Sequence, residues 1–117
     1  MSGMIGGRAS SRILVLALVA GAAAIHVSRA LVDPEISTLF WLNAIGYVTL
    51  GVLYTAPFGA LERWRPTIRW VLIAYAATTI ALFFLWGVMS GDWPVIGFVC
   101  KAIEIALIAV LLRDRRG

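Results

Sequence analysis

Apolar residues in this chain come in four successive runs of about 20, the length an α-helix needs to cross a bilayer core. The first runs from Ile13 to Leu31 and is broken by Asp33-Pro34-Glu35, because proline lacks the amide donor and restricts the residue before it. The second runs from Thr38 to Pro57. Phe58 to Pro66 forms the one substantial loop, and the third run extends from Ile68 to Ser90. Gly91-Asp92 makes a tight turn, and Pro94 suits the first turn of the last run, which ends at Leu112. The pattern predicts an all-α membrane protein: an antiparallel four-helix transmembrane bundle with spans 13–31, 38–57, 68–90 and 94–112, forming a single domain over residues 1–117. Met1 to Arg12 reads as a short Gly/Ser-rich basic tail, disordered or lying at the interface. Ile13 to Ala24 after Arg8 and Arg12 also has the form of a cleavable signal peptide, but the helical pattern continues past Ala24 and a retained span accounts for His26.

Composition agrees with that reading. The chain is 62% hydrophobic and 14% charged, whereas soluble domains are about half apolar and a quarter charged. The net charge of +4 is no sign of nucleic-acid affinity, since most of the basic residues flank the apolar runs, where orientation signals belong. The single cysteine, Cys100, excludes an intrachain disulfide and a Cys-x-x-Cys site. Phosphate-binding, zinc-protease and paired-carboxylate motifs are absent, so no catalytic residue and no metal site is named; the question of an enzyme stays open, with a non-enzyme favoured.

Arginine placement predicts orientation. Arg8, Arg12, Arg63, Arg65, Arg69, Arg113, Arg115 and Arg116 fall at one side, and Arg29, Asp33, Glu35 and Asp92 at the other. The positive-inside rule places both termini in the cytoplasm, in a multi-pass protein of the cytoplasmic (inner) membrane. Trp64 and Trp70 then mark the inner interface, and Trp41 and Trp93 the outer one.

Four polar residues stand out within these spans: His26, Asn43, Lys101 and Glu104. With a rise of about 1.5 Å per residue, His26 and Asn43 sit roughly 8 Å from the outer ends of their spans, Lys101 about 10 Å down and Glu104 about 15 Å down. Arg29 is shallower, and Trp86 is within about 6 Å of its outer end. Residues three, four and seven apart share a helix face. The resulting inward faces are Val19, Ala22, Ala23, His26, Arg29 and Asp33 in span one, and Asn43, Gly46, Tyr47 and Tyr54 in span two. Tyr75, Thr78, Thr79, Leu82 and Trp86 form that of span three, and Gly97, Cys100, Lys101, Glu104 and Ile108 that of span four.

A charge at the centre of a membrane helix costs about 3 kcal/mol, and each Leu, Ile, Val or Phe returns about 0.3–0.6. Span four has eleven such residues. They return roughly 3–7 kcal/mol against roughly 5–7 for Lys101 and Glu104, so this span gains by turning its polar face inward. Lys101 and Glu104, at i and i+3, can pair.

His26, Asn43, Lys101 and Glu104 are thus the candidates for a ligand-binding or proton-relay site open to the outer side, with Arg29, Tyr47, Tyr75 and Trp86 secondary. Asp33, Pro34, Glu35 and the Gly91-Asp92 turn are expected to give it an acidic mouth that favours cations, and His26 would make binding change between about pH 5 and 8. Plain readings stand beside these: a structural ion pair for Lys101 and Glu104, a snorkelling Arg29, hydrogen-bonded packing for His26 and Asn43, a small buried hydrophobe for Cys100, and ordinary interface aromatics for the tyrosines.

Phe40-Trp-Leu-Asn-Ala-Ile-Gly-Tyr47, Arg69-Trp-Val-Leu-Ile-Ala-Tyr-Ala-Ala-Thr-Thr-Ile80 and Lys101-Ala-Ile-Glu-Ile-Ala-Leu-Ile108 resemble an uncharacterised family of small four-span prokaryotic membrane proteins. That family has a His in span one, an Asn-x-x-Gly-Tyr-like stretch in span two and Lys-x-x-Glu or Lys-x-x-Gln in span four. The resemblance covers the chain from about Gly21 onward and implies architecture without an activity. The chain differs from the small multidrug transporters, whose embedded Glu is in the first span. The leading expectation is an accessory or binding subunit of a larger membrane assembly, or a homo-oligomer, with the lipid bilayer and other membrane subunits or itself as partners and no nucleic acid. The alternative is a proton-coupled transporter or a small-molecule or cation binder, for which a solvent-connected cavity at the cluster is the discriminating feature. A redox-cofactor protein is third. No cofactor is expected, although His26 is the residue that would ligate a haem.

Overall fold

A computed structural model describes residues 2–32, 34–35, 37–56 and 59–113, with side chains from Arg12 onward. Four α-helices follow in order: α1 (Ser2–Val32), α2 (Ser37–Thr55), α3 (Arg65–Ser90) and α4 (Val95–Arg113), with a 3-10 helix, η1 (Gly59–Trp64), leading into α3. There is no strand among the described residues. All four helices are long and apolar enough to cross a membrane. Around the bundle the order is α2, α1, α4, α3, and α2 and α3 close the ring with the lightest contact.

Three boundaries differ from the sequence expectation. Residues 2–12 continue α1 instead of forming a separate tail. The loop from 58 to 66 contains η1, and α3 begins at Arg65, so Arg65 and Pro66 belong to its first turn, where a proline loses no hydrogen bond. Pro94 sits just before α4 and not within it; its carbonyl accepts the Gly97 N–H at 3.0 Å. At the other end of that connection, α3 stops because Gly91 turns left-handed (φ 75°) and returns its N–H to the Gly87 carbonyl at 2.8 Å. Asp33 and Pro57 lie outside the described residues, as do positions 114–117.

The core is made of Val15, Val19, Ala22 and Ala23 of α1, Ala44, Tyr47 and Tyr54 of α2, Leu72 and Ala76 of α3, and Cys100, Leu107 and Leu111 of α4. Small residues let the helices approach, as packed membrane helices do. At Gly51 an added Cβ would lie 2.9 Å from Val19 Cγ1, so the α1–α2 seam requires glycine there. The inward face of α3 is Leu72, Ala76 and Thr79, whereas Thr78, Leu82 and Trp86 are exposed. The expected face of span three was thus rotated too far towards those three. Large apolar side chains face outward on all four helices, among them Ile13, Ile45, Val88 and Ile105. A soluble monomer rarely leaves a contiguous apolar surface of that extent uncovered.

Arg65 and Arg69, expected only as orientation signals, tie the helix ends together. Arg65 is 4% exposed and donates to the carbonyls of Tyr54 at 2.6 Å and Ala56 at 2.5 Å, capping the end of α2, with Glu62 3.3 Å away. Arg69 donates to the Leu111 carbonyl near the end of α4 at 2.9 Å and lies 4.8 Å over the Trp70 ring. Cations at helix C-termini also complement the helix dipole.

Candidate functional site

The site is built around Glu104, which is fully buried. Its position on α4 turns it to the bundle axis, where two hydroxyls from other helices reach the same oxygen: Tyr47 of α2 and Thr79 of α3 both donate to Oε2. The two hydroxyls are themselves 3.0 Å apart, and Thr79 Oγ1 also lies 2.9 Å from the Ala76 carbonyl. On its other side Glu104 forms an ion pair through Oε1 with Lys101, one turn earlier. Oε1 makes no aligned hydrogen bond, so that contact is a charge pairing. The Lys101 ammonium is further held by the Thr79 carbonyl at 3.5 Å and by the face of Phe83 at 5.5 Å. This inner network draws on α2, α3 and α4 and neutralises its own charges.

His26 enters from α1. Its Nδ1 lies 2.7 Å from the Ala22 carbonyl. A carbonyl only accepts, so Nδ1 carries the proton in that bond and Nε2 is the lone-pair nitrogen. Nε2 has no hydrogen-bond partner among the described residues. Cys100 Sγ is 3.8 Å from Nδ1, and ring contacts with Phe40 at 5.8 Å and Tyr47 at 5.9 Å hold the imidazole. One ligand atom each of His26, Cys100 and Glu104 fall within 4.8 Å of one another. Such a donor set suits a borderline metal, but its carboxylate is already engaged by Lys101 and two hydroxyls.

Above this network lies a partly open cavity of about 290 Å³ with contributions from every helix. Of the primary candidates it is lined by His26, Asn43 and Lys101, and of the secondary ones by Arg29 and Trp86. Glu104, Tyr47 and Tyr75 are not in its lining; they stand behind it. Tyr75 stacks edge-on against Tyr47 at 4.8 Å and donates to the Asn43 carbonyl at 2.8 Å. The Asn43 side chain is left over: its buried Oδ1 has no partner. The rest of the lining is mainly apolar and includes Phe40, Phe83 and Leu82. No carboxylate lines it among the described residues. Asp92 and Glu35 do not reach it, in contrast to the expected acidic mouth, and Asp33 is outside the described residues.

Sequence reasoning passed over Thr79 as a partner of Glu104 and Cys100 as a neighbour of His26. The available signal was their place on the inward faces of spans three and four.

Fold and cluster together define the class: an all-α bundle of four helices long and apolar enough to cross a membrane, with a buried polar network beneath a cavity. No family model, no curated protein and no solved structure matches the chain, so the likeness to small four-span proteins rests on its residues alone.

Proposed function

We propose that this chain is an integral membrane protein of four spans, with both termini on the cytoplasmic side of a prokaryotic inner membrane, that binds a small amphipathic molecule in the cavity above Glu104. The outward-facing apolar side chains and the four long apolar helices support the membrane setting. The observation that carries the binding reading is the cavity itself: about 290 Å³, close to the lower end of usual ligand pockets (about 300 Å³), mainly apolar with a few convergent polar groups. A purely structural network would be closed and fully paired. Here Glu104 is engaged by Lys101, Tyr47 and Thr79, but Asn43 Oδ1, His26 Nε2 and the Arg29 guanidinium above it have no partner among the described residues. That favours a small-molecule binder over the accessory-subunit reading, for which no feature of the bundle selects a partner. Glu104 and its partners act as a rigid polar floor, and the chain is no enzyme in this reading.

Native mass spectrometry of the protein released from a mild detergent tests it. The expected result is a retained small-molecule adduct that is lost when Asn43→Phe fills the cavity from α2. An adduct-free native chain, or one whose adduct survives that substitution in a folded variant, overturns it. A haem or flavin adduct would show in the visible spectrum of the same sample and would favour the redox reading instead.

A further inference from the structure

We infer that the occupant of this cavity carries an anionic head, of the carboxylate kind, on an apolar body, and that it enters sideways from the bilayer between α2 and α3; the inference rests on the binding reading above. Charge is the first observation. Two cations line the cavity, Lys101 and Arg29, and no carboxylate does among the described residues. Lys101 is already neutralised by Glu104 beneath it. Arg29 is half-buried and has no ion-pair or hydrogen-bond partner among the described residues. An unpaired guanidinium beside an apolar pocket favours a planar anion, which it can hold by two parallel N–H bonds.

Unfilled hydrogen-bonding capacity is the second. The Thr79 and Tyr47 hydroxyls are spent on Glu104 Oε2, and Glu104 Oε1 faces Lys101. The Asn43 amide, in the cavity wall with Arg29, is not: its buried Oδ1 has no donor, and a half-turn of the amide exchanges Oδ1 for Nδ2, which donates to a second oxygen of the same head. Free polar groups thus collect at the upper part of the cavity while its floor is closed.

The third is the wall. α2 and α3 are the most lightly packed neighbours in the ring, and on their side the lining includes Leu39 of α2 and Leu82 and Trp86 of α3, the leucines 67% and 56% exposed. Farther down the same seam, Tyr75 bonds across it to Asn43 and Arg65 to Tyr54, so it is pinned shut there. An opening rimmed by leucines admits an apolar chain from lipid, and Phe40 and Phe83 receive it inside.

The cysteine content provides the test. Cys100 is the only cysteine of the chain and lines this cavity, so its mercuration reports occupancy without background. The protein in maltoside micelles is treated with methylmercury in the presence of laurate, dodecanol or dodecylamine, and the modified fraction is read by intact mass. Laurate is expected to protect Cys100 about 10- to 100-fold better than dodecanol, the factor a charge-assisted hydrogen bond supplies, and dodecylamine less well than either. Arg29→Gln should remove the preference for acid over alcohol and leave protection by the alcohol unchanged. Repeating the assay in nanodiscs separates the sources: protection by an anionic phospholipid without laurate supports the same head chemistry and makes the lipid itself the occupant. Equal protection by laurate and dodecanol in the native chain overturns the anionic head while leaving the cavity reading intact. Failure of all three compounds and of the lipid to protect Cys100 overturns both.

Discussion

Glu104 is the residue on which the interior depends, because it brings a full charge to a place with no water. Lys101 supplies the counter-charge and two hydroxyls supply the hydrogen bonds. Removing one partner strands the other: Lys101→Met and Glu104→Gln are each expected to cost about 3–5 kcal/mol, as breaking buried pairs does. The double substitution should cost less than either, read as a shift in the denaturation midpoint in a double-mutant cycle; additive losses would mean the pair is not coupled. The pair itself could be read from the sequence, since i and i+3 share a helix face whatever the tertiary structure. Tyr47 and Thr79 could not be paired with Glu104 in that way. They are 57 and 25 positions away, and the periodicity of a helix says which face a residue occupies but not which residue lies opposite. Cys100 reads as a filler in the sequence for a similar reason: its nearness to His26, 74 positions away, exists only once α1 and α4 are side by side.

At the level of elements, helix ends and crossings rest on particular side chains. Arg65 closes α2 by donating to two carbonyls that would otherwise be orphaned at the helix terminus. Arg65→Met is expected to cost about 1–3 kcal/mol, the penalty for buried acceptors left without donors. Arg65→Lys should recover only part of it, because a point charge cannot span both oxygens as the guanidinium fork does. Thermal unfolding in detergent measures the difference. The α2–α3 crossing depends on Gly46, where a Cβ would fall within 2.7 Å of Tyr75 Cζ. Gly46→Ala must therefore expel the tyrosine ring and its bond to the Asn43 carbonyl. Helix existence was legible from the four apolar runs, but boundaries were less so. The segment from 58 to 66 looked like loop because Gly, Glu, Arg and Pro are loop residues by composition. In the fold its Arg65 is a cap, and its one proline, Pro66, occupies a helix start.

For the molecule as a whole the question is which end faces the cytoplasm. Arg12, Arg63, Arg65, Arg69 and Arg113 gather at one end of the four-helix bundle, and Arg29, Glu35 and Asp92 at the other. Arg65 and Arg69 serve as caps there, so part of that asymmetry has a structural cause and is not purely a topology signal. Arg63, 5.7 Å from the Trp64 ring and on the exposed η1, carries no such duty and is the fairer marker, since short loops rich in Arg stay inside. Asp92, exposed beside the Gly91 cap, marks the opposite end. In a Cys100→Ser background, Arg63→Cys should be labelled by an impermeant thiol reagent only after the membrane is opened, and Asp92→Cys in intact cells. This outcome would put the cavity, whose upper residues Arg29 and Trp86 lie towards Asp92, in the outer half of the membrane. The reverse pattern would invert the protein and make its amphiphile one drawn from the cytoplasmic leaflet. Labelling of both positions from outside would mean an even number of crossings between them, so that α3, the one helix between them, does not span.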